Sequence, residues 1–154
     1  MANIAPAPAP VVNFVDCRHA IKDWAKAQGC TLFVTLAFNT ATTEKGALSA
    51  LRDLHARVDR KLLGHDWCKR TDRRTRYVAV LENVETNLHV HLLAAPADDA
   101  WWNFCKAVVR AWSRIAPAGN VDVTPSTDPA STADYMLKKV RLDTLDRVRF
   151  SGDH

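Results

Sequence analysis

The sequence predicts an α+β domain, because two kinds of hydrophobic periodicity alternate along its 154 residues. Some segments carry apolar residues three and four positions apart, as amphipathic helices do, and others are short runs rich in β-branched and aromatic residues, as strands are. Hydrophobic residues make up 47% of the chain, and its length suits one domain with its own core rather than two. We therefore expect residues 13–154 to form a single domain.

The first twelve residues, MANIAPAPAPVV, are expected to form a disordered leader, because the alternating Ala-Pro of positions 5–10 disfavours helix and sheet pairing. They lack the basic and apolar regions of a secretory signal, and no run in the chain is long enough to span a membrane. The four cysteines lie far apart without a C-x-x-C pair, as free thiols in a reducing compartment do. We expect a cytoplasmic protein that does not associate with a membrane.

The first half of the domain predicts a helix, a strand and a second helix. Residues 16–28 have helical spacing and end at Gly29, a residue that often terminates helices. Residues 30–38, CTLFVTLAF, carry apolar groups on both faces, as a central strand does. Residues 44–64 form an amphipathic pattern of leucines and valine that stops at Gly64.

The second half begins with an antiparallel hairpin, in which residues 77–82 and 87–95 flank the short connection NVET. A helix is predicted over residues 98–115, a fourth strand over 120–125, and a last helix from Asp128-Pro129 to about Val140. One stripe of the helix over 98–115 is expected to pack in the core, and it carries Trp101, Phe104, Cys105, Val108, Trp112 and Ile115. The order βαββαβ predicts a ferredoxin-like (RRM-like) antiparallel sheet with helices on one face and an added C-terminal helix.

Two histidines, His89 and His91, stand in the middle of an apolar strand. Side chains alternate along a strand, so both imidazoles are expected on one face. If the hairpin turn comprises residues 83–86, Glu82 pairs with Asn87 and lies on that same face. Two imidazoles and a carboxylate with open positions are ligands for a divalent metal ion. Glu85 is the competing carboxylate, but its place in the turn favours solvation.

The segment ADYMLKKV, residues 133–140, is the second feature of chemical interest. Its apolar residues share one helical stripe that is expected to pack on the sheet. Tyr135, Lys138 and Lys139 then lie together on another face. In isolation this pattern is more typical of an ordinary exposed tyrosine beside solubilising lysines. The remaining histidines, His19, His55, His65 and His154, show no partner pattern, and we expect them to be structural or exposed.

Positive charge is concentrated in two places, and the chain has a formal net charge of +4. Such clusters suit a polyanionic partner, although a solvated loop and tail would look the same. The residues that we expect to contact DNA are Lys69, Arg70, Arg73, Arg74, Arg76, Lys139 and Arg141.

Taken together, TLFVTLAF, LHVHLL and YMLK resemble, in order along the chain, the first-strand, metal and tyrosine motifs of the replication-initiator branch of the His-hydrophobic-His (HUH) endonucleases. The resemblance covers about residues 30–140. It implies that His89, His91 and Glu82 hold Mg²⁺ or Mn²⁺, that Tyr135 is the nucleophile and that Lys138 assists it. The implied activity is nicking and joining of single-stranded or hairpin origin DNA through a 5′-phosphotyrosine, which initiates rolling-circle replication. A host helicase and polymerase are then expected partners, because the chain has no nucleotide-binding G-x-x-x-x-G-K-[ST] motif.

Three other readings stay open. A single-tyrosine transposase of the same superfamily would also place H-x-H before the tyrosine, but it typically has glutamine four residues after it, where this chain has Lys139. A non-catalytic module that binds single-stranded nucleic acid on a ferredoxin-like sheet predicts surface aromatic residues on the middle strands. A zinc hydrolase would use His89 and His91 with a bound water, and would leave Tyr135 and Lys138 without a role.

Overall fold

The computed structural model describes residues 13–98 and 100–153, so the predicted leader and His154 lie outside the described residues. In chain order the elements are α1 (Phe14–Ala27), β1 (Leu32–Ala37), α2 (Glu44–Leu63), β2 (Arg76–Glu82), β3 (His89–Ala95), α3 (Trp101–Ile115), β4 (Asn120–Pro125), α4 (Pro129–Met136) and β5 (Val148–Phe150). Two 3-10 turns, Trp67–Lys69 and Leu142–Arg147, lie in the connections before β2 and β5. Among the described residues, no helix is long and apolar enough to cross a membrane.

The strands form one five-stranded sheet in the order β4-β1-β3-β2-β5, and every neighbouring pair is antiparallel. The predicted α+β class is therefore confirmed. The short strand β5, which the hydrophobic pattern did not predict, pairs with the free edge of β2 through three residues. The hairpin strands β2 and β3 thus lie inside the sheet, with β1 and β5 on either side.

Helices cover both faces of the sheet. The two helices of the βαββαβ pattern, α2 and α3, share one face, as expected, whereas α1 and the added helix α4 cover the other. Alternate residues of β3 show this division: Val90 and Leu92 pack with α2 and α3, and Leu93 and Ala95 pack with α1 and α4. A sheet that is apolar on both faces needs cover on both. The face covered by α1 and α4 is also the one to which His89 and His91 belong, because odd-numbered residues of β3 share it.

The last helix is shorter than predicted. α4 starts at Pro129 after its N-cap Asp128, as expected, but it ends at Met136 rather than near Val140. The backbone then tightens, because Lys138 N–H donates to Tyr135 O and Val140 N–H to Leu137 O. The apolar stripe survives this change, and its members are buried: Ala133, Met136, Leu137 and Val140.

The tryptophan stripe of α3 is confirmed only in part. Phe104, Val108 and Trp112 are buried against the sheet, but Trp101 is 53% exposed. Trp101 is the first residue of α3, where no preceding helical turn continues the core stripe. Its ring packs edge-on against Trp102, which is itself 59% exposed.

Candidate active site

The β2–β3 register brings Glu82 opposite His89 and Val80 opposite His91. The predicted pairing of Glu82 with Asn87 is wrong by two residues. The predicted turn exists, since Thr86 N–H donates to Asn83 O and Asn83 has a positive φ of 55°, but pairing resumes only at His89. A shift of two residues leaves every side chain on its original face. Glu82, His89 and His91 therefore still share one face.

His91 and Glu82 are in direct contact. His91 Nε2 lies 2.6 Å from Glu82 Oε2, and both side chains are mostly buried. On the other side of the ring, Nδ1 lies 3.2 Å from the Thr35 hydroxyl, so both nitrogens have a partner. The Phe33 ring stacks on the imidazole with centroids 5.5 Å apart. Two strands, β1 and β2, thus hold His91 in one orientation.

A lysine occupies the second oxygen of Glu82. Lys139 Nζ lies 2.5 Å from Glu82 Oε1 and also reaches Asn83 Oδ1 at 3.4 Å. Burial alone raises the pKa of Glu82, but the hydrogen bonds from Lys139 and His91 outweigh it and hold that pKa below its usual value. Glu82 is therefore a carboxylate at neutral pH. Both of its oxygens have cationic or N–H partners.

The His91 imidazole is uncharged at neutral pH. Burial lowers its pKa, and the hydrogen bond to Glu82 opposes that effect without overcoming it. The positive charges of His89, when protonated, and of Lys138 push in the same direction as burial. A neutral imidazole can give a lone pair to a metal ion, which a protonated ring cannot.

His89 is held by its own strand. Its Nδ1 lies 2.6 Å from Asn87 O, and because a carbonyl only accepts, Nδ1 carries the proton. In the neutral ring the lone pair then belongs to Nε2. Metal-ligating histidines commonly use a backbone carbonyl in this way to fix the tautomer.

The three side chains fit a divalent ion by chemical type, since two imidazoles and a carboxylate leave open positions on such an ion. His91 Nε2 and Glu82 Oε2 lie 2.6 Å apart as a hydrogen-bonded pair, so each would exchange this partner for the ion. In the described part of the chain, however, no three His, Cys, Asp or Glu side chains form a complete ligand group. Lys139 Nζ contacts the other oxygen of Glu82, Oε1.

Tyr135 lies on the same face of the sheet as the histidines, with Phe33 between them. Its ring meets Phe33 edge-on at 6.1 Å between centroids, and Phe33 in turn stacks on His91. The tyrosine is 53% exposed, so about half of the residue meets solvent. Lys138 Nζ lies 3.9 Å from the centroid of the same ring. Tyr135, Lys138 and Lys139 are all exposed, as the sequence predicts.

The position of α4 is maintained by ion pairs to α1. The Asp134 carboxylate lies 2.8 Å from Arg18 Nε and 3.0 Å from Lys22 Nζ, and Arg18 also donates to Asp134 O. Because Asp134 directly precedes Tyr135, these contacts orient the tyrosine as well as the helix.

A pocket of about 360 Å³ adjoins Glu82. Loop residues 83–86 line one side, and Met136 and Val140 form an apolar wall. Lys139 and Arg147 give the rim positive charge. Glu85, the alternative ligand, lies on this rim as an exposed turn residue and not among the histidines.

The basic residues expected to contact DNA fall in two separate places. Lys69, Arg70 and Arg73 are exposed in the linker before β2, whereas Glu82 lies at the other end of that seven-residue strand, about 20 Å away. Lys139 lies at the site. Arg141 is close to it in sequence, but its guanidinium donates to the carbonyls of Lys138 and Val140.

Two linker arginines make structural contacts. Arg74 Nε donates to the buried carboxylate of Asp59 at 2.8 Å, and its guanidinium lies over the Trp67 ring. Arg76 is the first residue of β2 and reaches Gln28 O at the end of α1. Charge counting alone could not separate these two residues from the exposed Arg70 and Arg73.

Phe33 and Thr35 contact the site but were not singled out from the sequence. Both alternate with the buried residues of β1, which places them on the histidine face. A ferredoxin-like sheet places β1 beside β3, but the register that puts Thr35 opposite His91 could not be predicted from strand alternation. A threonine in an apolar strand beside an H-x-H strand is nevertheless a pattern that could identify such a contact.

Comparison of the chain with protein-family models, with curated proteins and with solved structures found no match in any of the three. The site is therefore interpreted from its geometry and chemistry.

Proposed function

We propose that this protein nicks and rejoins single-stranded DNA through Tyr135. The observation that carries the proposal is the arrangement on one sheet face, where an exposed tyrosine packs on Phe33 and Phe33 packs on the His91–Glu82 pair. A tyrosine nucleophile next to a potential metal site is the constellation expected for phosphodiester transfer. We assign the domain to a ferredoxin-like fold, which the strand order β4-β1-β3-β2 within the sheet supports.

His91, Glu82 and His89 are the residues that would hold Mg²⁺ or Mn²⁺. When bound, the ion would reduce the negative charge of the scissile phosphate and so lower its repulsion of the nucleophile. In the neutral His91 ring Nε2 carries the proton, because the Glu82 carboxylate only accepts, and Nδ1 accepts from the Thr35 hydroxyl. To hold the ion through Nε2 the ring would change tautomer, and Nδ1–H would then donate to the Thr35 oxygen and keep the ring oriented. Lys139 would leave Glu82, and its ammonium would then be free for a backbone phosphate.

Tyr135 would supply the attacking oxygen. Its phenolate forms a bond to phosphorus while the bond from phosphorus to the 3′ oxygen breaks, so one phosphoester replaces another. The departing 3′ oxygen takes up the proton equivalent that the phenol gave to solvent. The Lys138 ammonium, which lies 3.9 Å from the centroid of the Tyr135 ring, would assist by placing a positive charge near the attacked phosphate.

The products would be a 5′-phosphotyrosine and a free 3′-hydroxyl. A polymerase can extend that hydroxyl, and the bond energy is kept in the covalent intermediate for later strand closure. We therefore propose initiation of rolling-circle replication as the biological role, with origin DNA as the substrate. A host helicase and polymerase would complete the reaction.

Trapping the covalent intermediate tests the proposal. Wild-type protein, Mn²⁺ and a single-stranded oligonucleotide library should give an adduct that resists denaturation and that carries the 5′ phosphate of the DNA. Tyr135→Phe keeps the packing on Phe33 but removes the attacking oxygen, so it should form no adduct. The matched control is Tyr77→Phe, because Tyr77 is buried in the core on the opposite sheet face and should not matter. Adduct formation by Tyr135→Phe would overturn the assignment.

A further inference from the structure

We propose that the outer surface of α3 is a second binding surface for single-stranded DNA, separate from the candidate active site. Two adjacent tryptophans, Trp101 and Trp102, are 53% and 59% exposed, and they contact each other edge-on at 5.4 Å. Large aromatic side chains are seldom left in water without a partner, whereas exposed rings beside cations are what single-strand binders use to stack bases.

The charge on α3 argues for a polyanionic partner. The helix contains Lys106, Arg110 and Arg114 and has no acidic residue. Trp102, Lys106 and Arg110 follow at intervals of four residues, so they form a line with steps of about 6 Å along the exposed side. Two acidic residues, Asp98 and Asp99, precede the helix in the sequence, and the Asp98 carboxylate accepts from Ala100 N–H and from the Asn103 amide.

The surface lies away from the active site. α3 packs with α2 on one face of the sheet, while Tyr135 and His91 belong to the other face. A strand held on α3 would therefore be a flanking segment that passes round the β4 edge, the sheet edge that contacts α3. The identification of the ligand as DNA rather than RNA rests on the proposed function. The single-strand surface itself is inferred only from the exposed tryptophans and the basic residues of α3.

Equilibrium binding of a fluorescein-labelled oligo(dT) 20-mer to the full-length protein, with EDTA present, tests the proposal without any cleavage. Trp101→Ala/Trp102→Ala should lose roughly tenfold or more in affinity, because stacking is removed. Trp101→Phe/Trp102→Phe should retain most of it. Since both residues are exposed, the thermal midpoint of each variant should stay near that of the wild type, and that measurement checks folding.

The salt dependence of binding tests whether the basic residues of α3 contact phosphates. Lys106→Gln/Arg110→Gln should reduce the slope of log affinity against log salt by about 0.7 for each lost charge. The charge-matched control is Arg52→Gln/Arg60→Gln, two exposed positions with the wider spacing of eight residues on α2, which should leave the slope unchanged.

Three results would overturn the inference. Unchanged affinity in the tryptophan-to-alanine variant would exclude stacking on α3. Tighter binding to oligo(U) than to oligo(dT) would assign the surface to RNA. A blue shift of tryptophan fluorescence on anionic phosphatidylglycerol vesicles, without quenching by oligo(dT), would assign it to a membrane. Because binding is measured with EDTA and the adduct is measured with Mn²⁺, failure here and failure of the nicking proposal can be told apart.

Discussion

The molecule contains two histidine–carboxylate pairs that use the same chemistry in opposite ways. His55 and Asp59 lie one turn apart on α2, with 3.1 Å between Nε2 and Oδ2, and their side chains are 3% and 0% exposed. His91 and Glu82 lie on neighbouring strands at 2.6 Å, and theirs are 11% and 12% exposed. The difference in exposure is small, so the partners of each carboxylate decide what each pair can do.

Every partner of Asp59 belongs to the folded framework. Its carboxylate accepts from Arg74 Nε and from the Thr75 backbone N–H, in addition to His55. His55 Nε2 also lies 2.9 Å from Thr75 O. These contacts fasten the end of the basic linker to α2 just before β2 begins. No ligand could replace one of them without unfolding that connection.

Glu82, in contrast, has a partner that can leave. The Lys139 side chain is 59% exposed and sits in the turn that follows α4, so water can take its place on Glu82 Oε1 at small cost. We infer that a saturated carboxylate stabilises the fold, whereas one held by an exposed lysine is available for a ligand. Four predictions could break or sharpen this contrast.

The largest effect is expected for stability. Asp59→Ala leaves the buried Thr75 N–H and the half-buried Arg74 guanidinium without their acceptor, and it should lower the free energy of unfolding by about 3–5 kcal/mol. Glu82→Ala should lower it far less, because Lys139 can turn to water. Urea denaturation of both variants measures the difference, and equal losses would contradict the contrast.

The second largest effect is expected for metal affinity. Glu82→Ala, His89→Ala and His91→Ala should each weaken Mn²⁺ binding by at least about tenfold, since even partners one shell further from an ion have that effect. Calorimetric titration is the measurement. Glu85→Ala is the control, because Glu85 is exposed in the turn and should leave the affinity unchanged. A loss confined to Glu85→Ala would move the site to the turn.

The third prediction concerns acid. Burial raises the pKa of Asp59, but hydrogen bonds from His55, Arg74 and Thr75 outweigh it and lower that pKa below its value in the unfolded chain. A depressed carboxylate pKa contributes stability above the unfolded value, about 4, and this stability is lost as pH falls through the folded value. The urea midpoint of the wild type should therefore fall more steeply from pH 5 to pH 3 than that of Asp59→Asn.

The two pairs also differ in how well the sequence predicts them. His89, His91 and Glu82 could be placed on one face from strand alternation alone, because a register error of two residues does not change faces. His55 and Asp59 are spaced for contact on a helix, but the same spacing occurs on solvated helices. Their burial depends on how α2 meets Thr75, which is a tertiary contact and has no local signal.

The same limit explains the other differences. Helical and strand periodicity predicted the four helices and four of the five strands, but β5 has only three residues, too few for a period to emerge. Apolar residues on both sides of β3 already implied helices on both faces, and α1 and α4 provide the cover that the ferredoxin-like pattern does not include. Phe33 and Thr35 contact the site because β1 lies beside β3, and the alternation of side chains does not show which residues of neighbouring strands are paired.

The smallest effect is expected at Lys139. If its ammonium competes with a cation for Glu82, Lys139→Met should strengthen Mn²⁺ binding. The pair is exposed only on its lysine side, so it should contribute at least as much as a good exposed pair, about 1 kcal/mol, which corresponds to a gain of about fivefold. Lys138→Met removes the same charge one residue earlier, where the ammonium lies over the Tyr135 ring and not on Glu82, so any gain that it causes measures the general effect of charge. The gain for Lys139→Met should exceed that value. Weaker Mn²⁺ binding in Lys139→Met would mean that the lysine orients Glu82 for the ion instead of competing with it.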